Sequence, residues 1–213
     1  MGEDRVLALK GVHNFRDYGG YPVAGGGRLR RGKLWRSGQH HGASALDLER
    51  IAALGLAAVF DLRSNRERSS HPCRRPADFL TEVHLAPGPG KHSAPHVAAA
   101  QVIRQRTAQS TREALVKNYA RIAFRPELLA MTTRLIATAA AGHGATLVNC
   151  MAGKDRTGIA VAMVHLAAGV HRDDVLEDYL LTNTAGNAEA GSRPAPRPSA
   201  PSPGTSTKPR YGC

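Results

Sequence analysis

The segment Val148-Asn149-Cys150-Met151-Ala152-Gly153-Lys154-Asp155-Arg156-Thr157-Gly158 constrains this chain more than any other. A cysteine and an arginine stand six positions apart, with residues suited to a tight loop between them. The apolar run 145–148 enters the loop, and an apolar helical pattern over 159–168 leaves it. Strand, loop and helix in that order build an anion cradle. The loop N–H groups turn inward, and the positive end of the helix dipole lies beneath them. Thiols held in such places ionise readily and act as nucleophiles near neutral pH. A guanidinium such as Arg156 holds two phosphate oxygens in a bidentate fork. The chemistry this suits is phosphoryl transfer to sulfur and then to water. It asks for one thiolate, one arginine, a ring of amides and one carboxyl group, with no metal and no cofactor.

A chain of 213 residues is long enough for one domain with a substantial core. Aromatics make up only 5%, so aliphatic side chains must fill that core. No run of about 18 apolar residues is present, so no spanning helix is expected. Met1-Gly2-Glu3-Asp4-Arg5 lacks a basic-then-apolar leader pattern. Three cysteines (Cys73, Cys150, Cys213) are too few and too odd for a disulfide framework, which points to a reducing, cytoplasmic setting. Secretion without a visible signal peptide stays open. The formal charge of +12 favours acidic partners, including anionic membrane surfaces met peripherally. No recognised motif accompanies that charge, so nucleic acid is not expected as a partner.

Along the chain, residues 12–38 read as short strands and turns, with Gly25-Gly26-Gly27 as a hairpin turn. Ser44 is a candidate N-cap for a helix over 45–54, with Leu46, Leu48, Ile51 and Leu54 as its apolar positions and Gly55 as its stop. Residues 56–61 have the near-continuous apolar character of a buried parallel strand, ending in the polar run 61–68. Residues 70–76 read as loop and 79–85 as a strand. Residues 86–96 form a Pro/Gly/His-rich connection, in which His92 and His96 lack convincing metal-ligand spacing. Helical patterns follow at 97–109, 111–123 and 126–140, the last with Pro126 in its first turn and Leu128, Leu129, Leu135 and Ile136 as core. Segment 97–125 is partly amphipathic and is a candidate lid. A strand at 145–149, a helix at 157–168 capped by Gly169, and a helix over 173–181 complete a domain at 1–185. Residues 186–213, rich in Pro and Ser, read as a disordered tail.

Together these motifs resemble the bacterial tyrosine and phosphoinositide phosphatases that carry a Cys-x-x-Gly-Lys-Asp-Arg loop, the family of the mycobacterial triple-specificity virulence phosphatases. The resemblance rests also on Asn14-Phe15-Arg16-Asp17-Tyr18-Gly19-Gly20, on 30–38, on Phe60-Asp61-Leu62-Arg63-Ser64 and on Glu67-Arg68, and it spans roughly residues 11–185. It implies an α/β cysteine-phosphatase fold, protein-tyrosine-phosphatase-like, with a mostly parallel central sheet flanked by helices. It implies Cys150 as nucleophile, Arg156 as phosphate clamp, and Met151, Ala152, Gly153 and Lys154 as cradle, with Lys154 adding charge at the mouth. Asp155 would be the general acid and then the base. Thr157 would donate to Cys150, and Asp61 and Arg63 would stand at the end of the neighbouring strand. The implied substrates are phosphotyrosine proteins, with phosphoserine, phosphothreonine or phosphoinositides beside them.

Two departures are visible. Position 149 is Asn where the family has His; Asn donates hydrogen bonds but carries no charge, so slower turnover with an intact fold is expected. Family members usually continue with helices where this chain has its Pro-rich segment, so the catalytic domain reads as shortened at its C-terminus. Asp61 remains an alternative acid to Asp155. Lys154 has an alternative as a merely solvated charge. Cys73 reads as an unpaired loop thiol, a disulfide to Cys150 under oxidation being the alternative. An inactive phosphate-binding module and a rhodanese-like sulfurtransferase are the competing functional readings; the latter needs no loop acid.

Overall fold

A computed structural model of the chain describes residues 5–86 and 108–185. Strands β1 (Arg16–Asp17), β2 (Leu34–Ser37), β3 (Leu56–Asp61), β4 (Glu82–Leu85) and β5 (Ala145–Asn149) form one sheet in the order β1-β2-β5-β3-β4. Among these five described strands, β1–β2 is the antiparallel pair and the other three pairs are parallel. The central strand is therefore β5, bonded on both edges, and its C-terminal end delivers Cys150.

The helices are α1 (Ala45–Ala52), α2 (Asn65–Ser70), α3 (Ala108–Ile122), α4 (Pro126–Ala141), α5 (Asp155–Ala167), α6 (Arg172–Leu180) and α7 (Thr182–Ala185). Strand side chains alternate between faces, so Ala58, Phe60 and Val148 enter one core with Leu128, Met131, Leu135, Ala160 and Val161 of α4 and α5. Val59 and Leu147 enter the other with Ile51 of α1, Val12 and Phe15. The sheet is thus buried on both faces at its centre, as parallel sheets are.

Most expected elements are present, with shifts of one to three residues. Ser44 caps α1 through a capping box with Asp47, whose carboxylate also accepts from the Lys10 and Gly11 amides at 2.9 Å. Leu46, however, is exposed, because it lies on the outer face of that helix while Ile51 points inward. Leu129 is likewise exposed rather than core, one position past the buried Leu128. The strand expected over 79–85 is confined to 82–85. The polar run after β3 is not plain loop: Ser64 and Glu67 form a second capping box that starts α2. Helix α5 begins at Asp155, two residues earlier than expected, so the arginine of the loop sits in its first turn. A further short turn, α7, follows α6. Of the candidate lid 97–125, residues 108–122 form α3. The helix at 97–107, most of the connection at 86–96 with its two histidines, and the tail 186–213 lie outside the described residues.

Candidate active site

The loop from Cys150 to Lys154 is shaped by bonds to its carbonyls. Gln39 N–H donates to the Met151 carbonyl at 3.0 Å. Asn14 Nδ2 and Arg36 Nη2 donate to the Gly153 carbonyl at 2.7 and 3.1 Å. Each trans peptide carries its C=O and N–H on opposite sides, so anchoring these carbonyls outward turns the amides of Ala152 and Lys154 the other way. Gly153 adopts a φ of 68°, and a Cβ there would lie 2.4 Å from the Ser37 carbonyl carbon. Only glycine fits this position.

Cys150, Asp155, Arg156 and Thr157 are all buried, and Met151, Ala152 and Lys154 are partly exposed. Arg156 leaves the first turn of α5 and meets Glu67 of α2 in a two-bond fork. Nη1 donates to Oε2 and Nη2 to Oε1, each at 2.8 Å, and Nη1 also donates to the Leu62 carbonyl at 3.0 Å. Burial pushes the Glu67 carboxyl up, but the hydrogen bonds and charge of Arg156 outweigh it and hold it below the usual range. Burial opposes the Arg156 charge too, yet Glu67 and the nearby Cys150 leave its proton more firmly held than in water.

The two candidate acids differ in their surroundings. Asp61 is consumed by Arg63, which donates to it through Nε at 2.9 Å and Nη2 at 2.7 Å. Asp61 also faces Asn149 Nδ2 at 3.5 Å. Asp155 instead accepts from the Tyr119 hydroxyl of α3. Burial, and then that bond, raise the Tyr119 hydroxyl above its ordinary range, so it stays a donor. Asn149 is fully buried with its Oδ1 unsatisfied among the described residues. The Thr157 hydroxyl is also buried without a partner among them, so the expected bond to Cys150 is not made.

Cys73 and Cys150 are both free. Cys73 Sγ accepts from Arg63 Nη2 at 3.0 Å and from the His40 amide at 3.2 Å. Among the described residues no cluster of His, Cys, Asp or Glu has metal-binding geometry, and no helix is long and apolar enough to cross a membrane. The sequence singled out Cys150, Arg156, Asp155, Asp61 and Arg63, and the structure brings them to one end of the sheet. It did not single out Glu67, Tyr119, Asn14 or Arg36 by role. Of these, Glu67 had a local signal, the Ser-x-x-Glu spacing of a capping box.

A model of the tyrosine phosphatase family matches residues 7–201. A Cupriavidus necator protein named for tyrosine-protein phosphatase is 37% identical over 182 residues, covering 83% of this chain and 63% of that protein. The triple specificity protein phosphatase PtpB of Mycobacterium tuberculosis is 32% identical over 197 residues, covering 84% of this chain and 69% of that protein. The chain thus spans about two thirds of the length of these relatives. Among solved structures, human tyrosine phosphatase-like serine/threonine/tyrosine-interacting protein aligns with a TM-score of 0.41 at 14% identity, over 74% of this chain and 84% of that one.

Proposed function

The chain belongs to the tyrosine phosphatase family, and from that premise we propose that it hydrolyses phosphomonoesters through a phosphocysteine at Cys150. The observation that carries this reading is the joint placement of Cys150 and Arg156 around a loop whose Met151 and Gly153 carbonyls are anchored outward.

In the first step the Cys150 thiolate attacks phosphorus. The S–P bond forms as the P–O bond to the leaving alcohol breaks, and Asp155 gives its proton to that oxygen. In the second step water attacks the phosphocysteine, Asp155 takes the water proton, and sulfur leaves as thiolate while inorganic phosphate forms. Arg156, aimed by Glu67, holds two equatorial oxygens through both transfers. The Thr157 hydroxyl, buried without a hydrogen bond among the described residues, takes the role of donor to the departing sulfur in this reading. The bidentate lock of Arg63 on Asp61 favours Asp155 as the acid and gives Asp61 a supporting role, ordering Asn149 beside the nucleophile.

Phosphotyrosine proteins are the primary substrate class. Lys154 at the mouth and the charge of +12 extend it to phosphoserine, phosphothreonine and phosphoinositides, the last reached by peripheral contact with an anionic membrane. The two free thiols fit a reducing, cytoplasmic setting.

Hydrolysis of para-nitrophenyl phosphate, with and without EDTA and beside Cys150→Ser, tests the reading. Turnover that survives EDTA and vanishes in the serine variant is expected. A folded protein that binds phosphate without turnover would make it an inactive binding module instead.

A further inference from the structure

Beneath the phosphate loop lies a buried ionic cluster that the reaction chemistry does not use. Arg16 of β1 and Arg36 of β2 are both fully buried and share the carboxylate of Asp178 on α6. Arg36 Nη1 donates to Asp178 Oδ2 at 2.6 Å, and Arg16 Nη2 to the Asp178 carbonyl at 2.9 Å. Arg16 Nη1 also donates to Asn14 Oδ1. Asn14 in turn places its Nδ2 2.7 Å from the Gly153 carbonyl, beside Arg36 Nη2 at 3.1 Å. Asn14 holds a left-handed φ of 58°, which Asn tolerates better than most residues and which aims its amide at the loop. Asp178 is the one carboxylate within ion-pair distance of either arginine among the described residues, so the cluster carries a net positive charge.

Such a cluster is costly merely as glue. Two buried cations on one carboxylate leave Arg16 Nε, Arg36 Nε and Asp178 Oδ1 without a hydrogen bond among the described residues. What it secures is the orientation of one peptide. Two donors on the Gly153 carbonyl fix the Gly153–Lys154 peptide plane, and with it the Lys154 amide. The excess charge adds attraction for an anion above the loop.

We infer that Asn14 and Arg36, held by Arg16 and Asp178, are positioning residues that aim the Lys154 amide at the bound phosphoryl group. Helix α6 is thereby part of the phosphate site rather than only part of its scaffold. Its seating reinforces this: a Cβ on Gly158 would lie 2.5 Å from the Tyr179 ring, so α6 packs flush against the first turns of α5. The inference rests on the phosphatase reading of the loop.

The test is the protection of Cys150 from iodoacetamide by inorganic phosphate, measured beside para-nitrophenyl phosphate turnover. Asn14→Gly keeps the positive φ and removes all three side-chain bonds, to the Gly153 carbonyl, to Thr182 Oγ1 and from Arg16. Asp178→Asn keeps the volume and removes the charge that tethers Arg36. In each variant that retains a cooperative urea transition, the phosphate concentration for half-protection should rise about ten- to a hundredfold, as for loss of one bond to a charged ligand. The alkylation rate without phosphate should hold within about twofold. Leu135→Ala, a cavity in the core distant from the loop, should lower the urea midpoint without moving protection. Protection unchanged in a folded Asn14→Gly or Asp178→Asn protein overturns the inference. Wild-type Cys150 that phosphate does not protect at all would instead overturn the phosphatase reading itself.

Discussion

Two side chains carry most weight in the proposed mechanism: the carboxyl group at 155 and the amide at 149. Asp61 spends both oxygens on Arg63, whereas Asp155 accepts from the Tyr119 hydroxyl. Asp155→Asn should therefore lower kcat by about 10²- to 10³-fold for phenyl phosphate and much less for para-nitrophenyl phosphate, whose leaving group needs no proton. Asp61→Asn should lower both substrates alike. The reverse pattern, read from steady-state rates across leaving groups, would move the acid to Asp61. At position 149, the buried amide faces Asp61 and leaves its Oδ1 unsatisfied. An imidazolium there would gain the Asp61 charge as partner. Asn149→His should raise turnover near pH 6, and an unchanged pH–rate curve would remove position 149 from the account.

At the level of elements, the sequence carried the strand–loop–helix unit in full, because Cys150 to Gly158 is local and its signals are contiguous. It carried the core faces only in part. Leu46 and Leu129 are apolar at plausible helical positions, but one residue of helix rotation, set by packing against the sheet, puts both outside. It passed over α2, whose six residues are polar throughout and whose start rests on Ser64 and Glu67 alone. That short helix matters because its N-terminal turn presents Glu67 to Arg156 across 89 positions of sequence. Glu67→Gln should leave the fold intact, since cap and turn persist, while letting the guanidinium rotate. A loss of about 10²-fold in kcat/KM is expected, as for misplacement of a clamp by about 1 Å. Equal activity of this variant in steady-state kinetics would show that Arg156 aims itself. Long-range partners of this kind, like Asn14 on Gly153, leave no trace in local spacing.

For the whole molecule, acid sensitivity follows from three buried histidines, His40, His84 and His165. His40 sits between Ser37 Oγ at 3.0 Å and Arg75 Nη1 at 3.2 Å. Burial first, then the charges of Arg75 and Arg63, push its imidazole down to about 3. Burial likewise lowers His165. The folded value lies below the unfolded one, so the unfolded chain takes the proton first. Stability is full above about pH 6.5 and falls as pH drops toward the folded value, by up to about 1.4 kcal/mol per pH unit for a group like His40. The urea midpoint should therefore decline from pH 6.5 to 4.5, before most carboxylates titrate, and His40→Gln should flatten that decline. A wild-type midpoint constant over this range would contradict the burial of these rings as neutral species. The same fold that excludes water from His40 also seats Cys150 and Arg156 at one end of the sheet, and the proposed reaction depends on that seating. The most direct test is a rapid acid quench of a radiolabelled aryl phosphate reacting with Asp155→Asn, which lacks the base for the second step. The account predicts a phosphoenzyme that accumulates and maps to Cys150. Turnover with no label on Cys150 would contradict it.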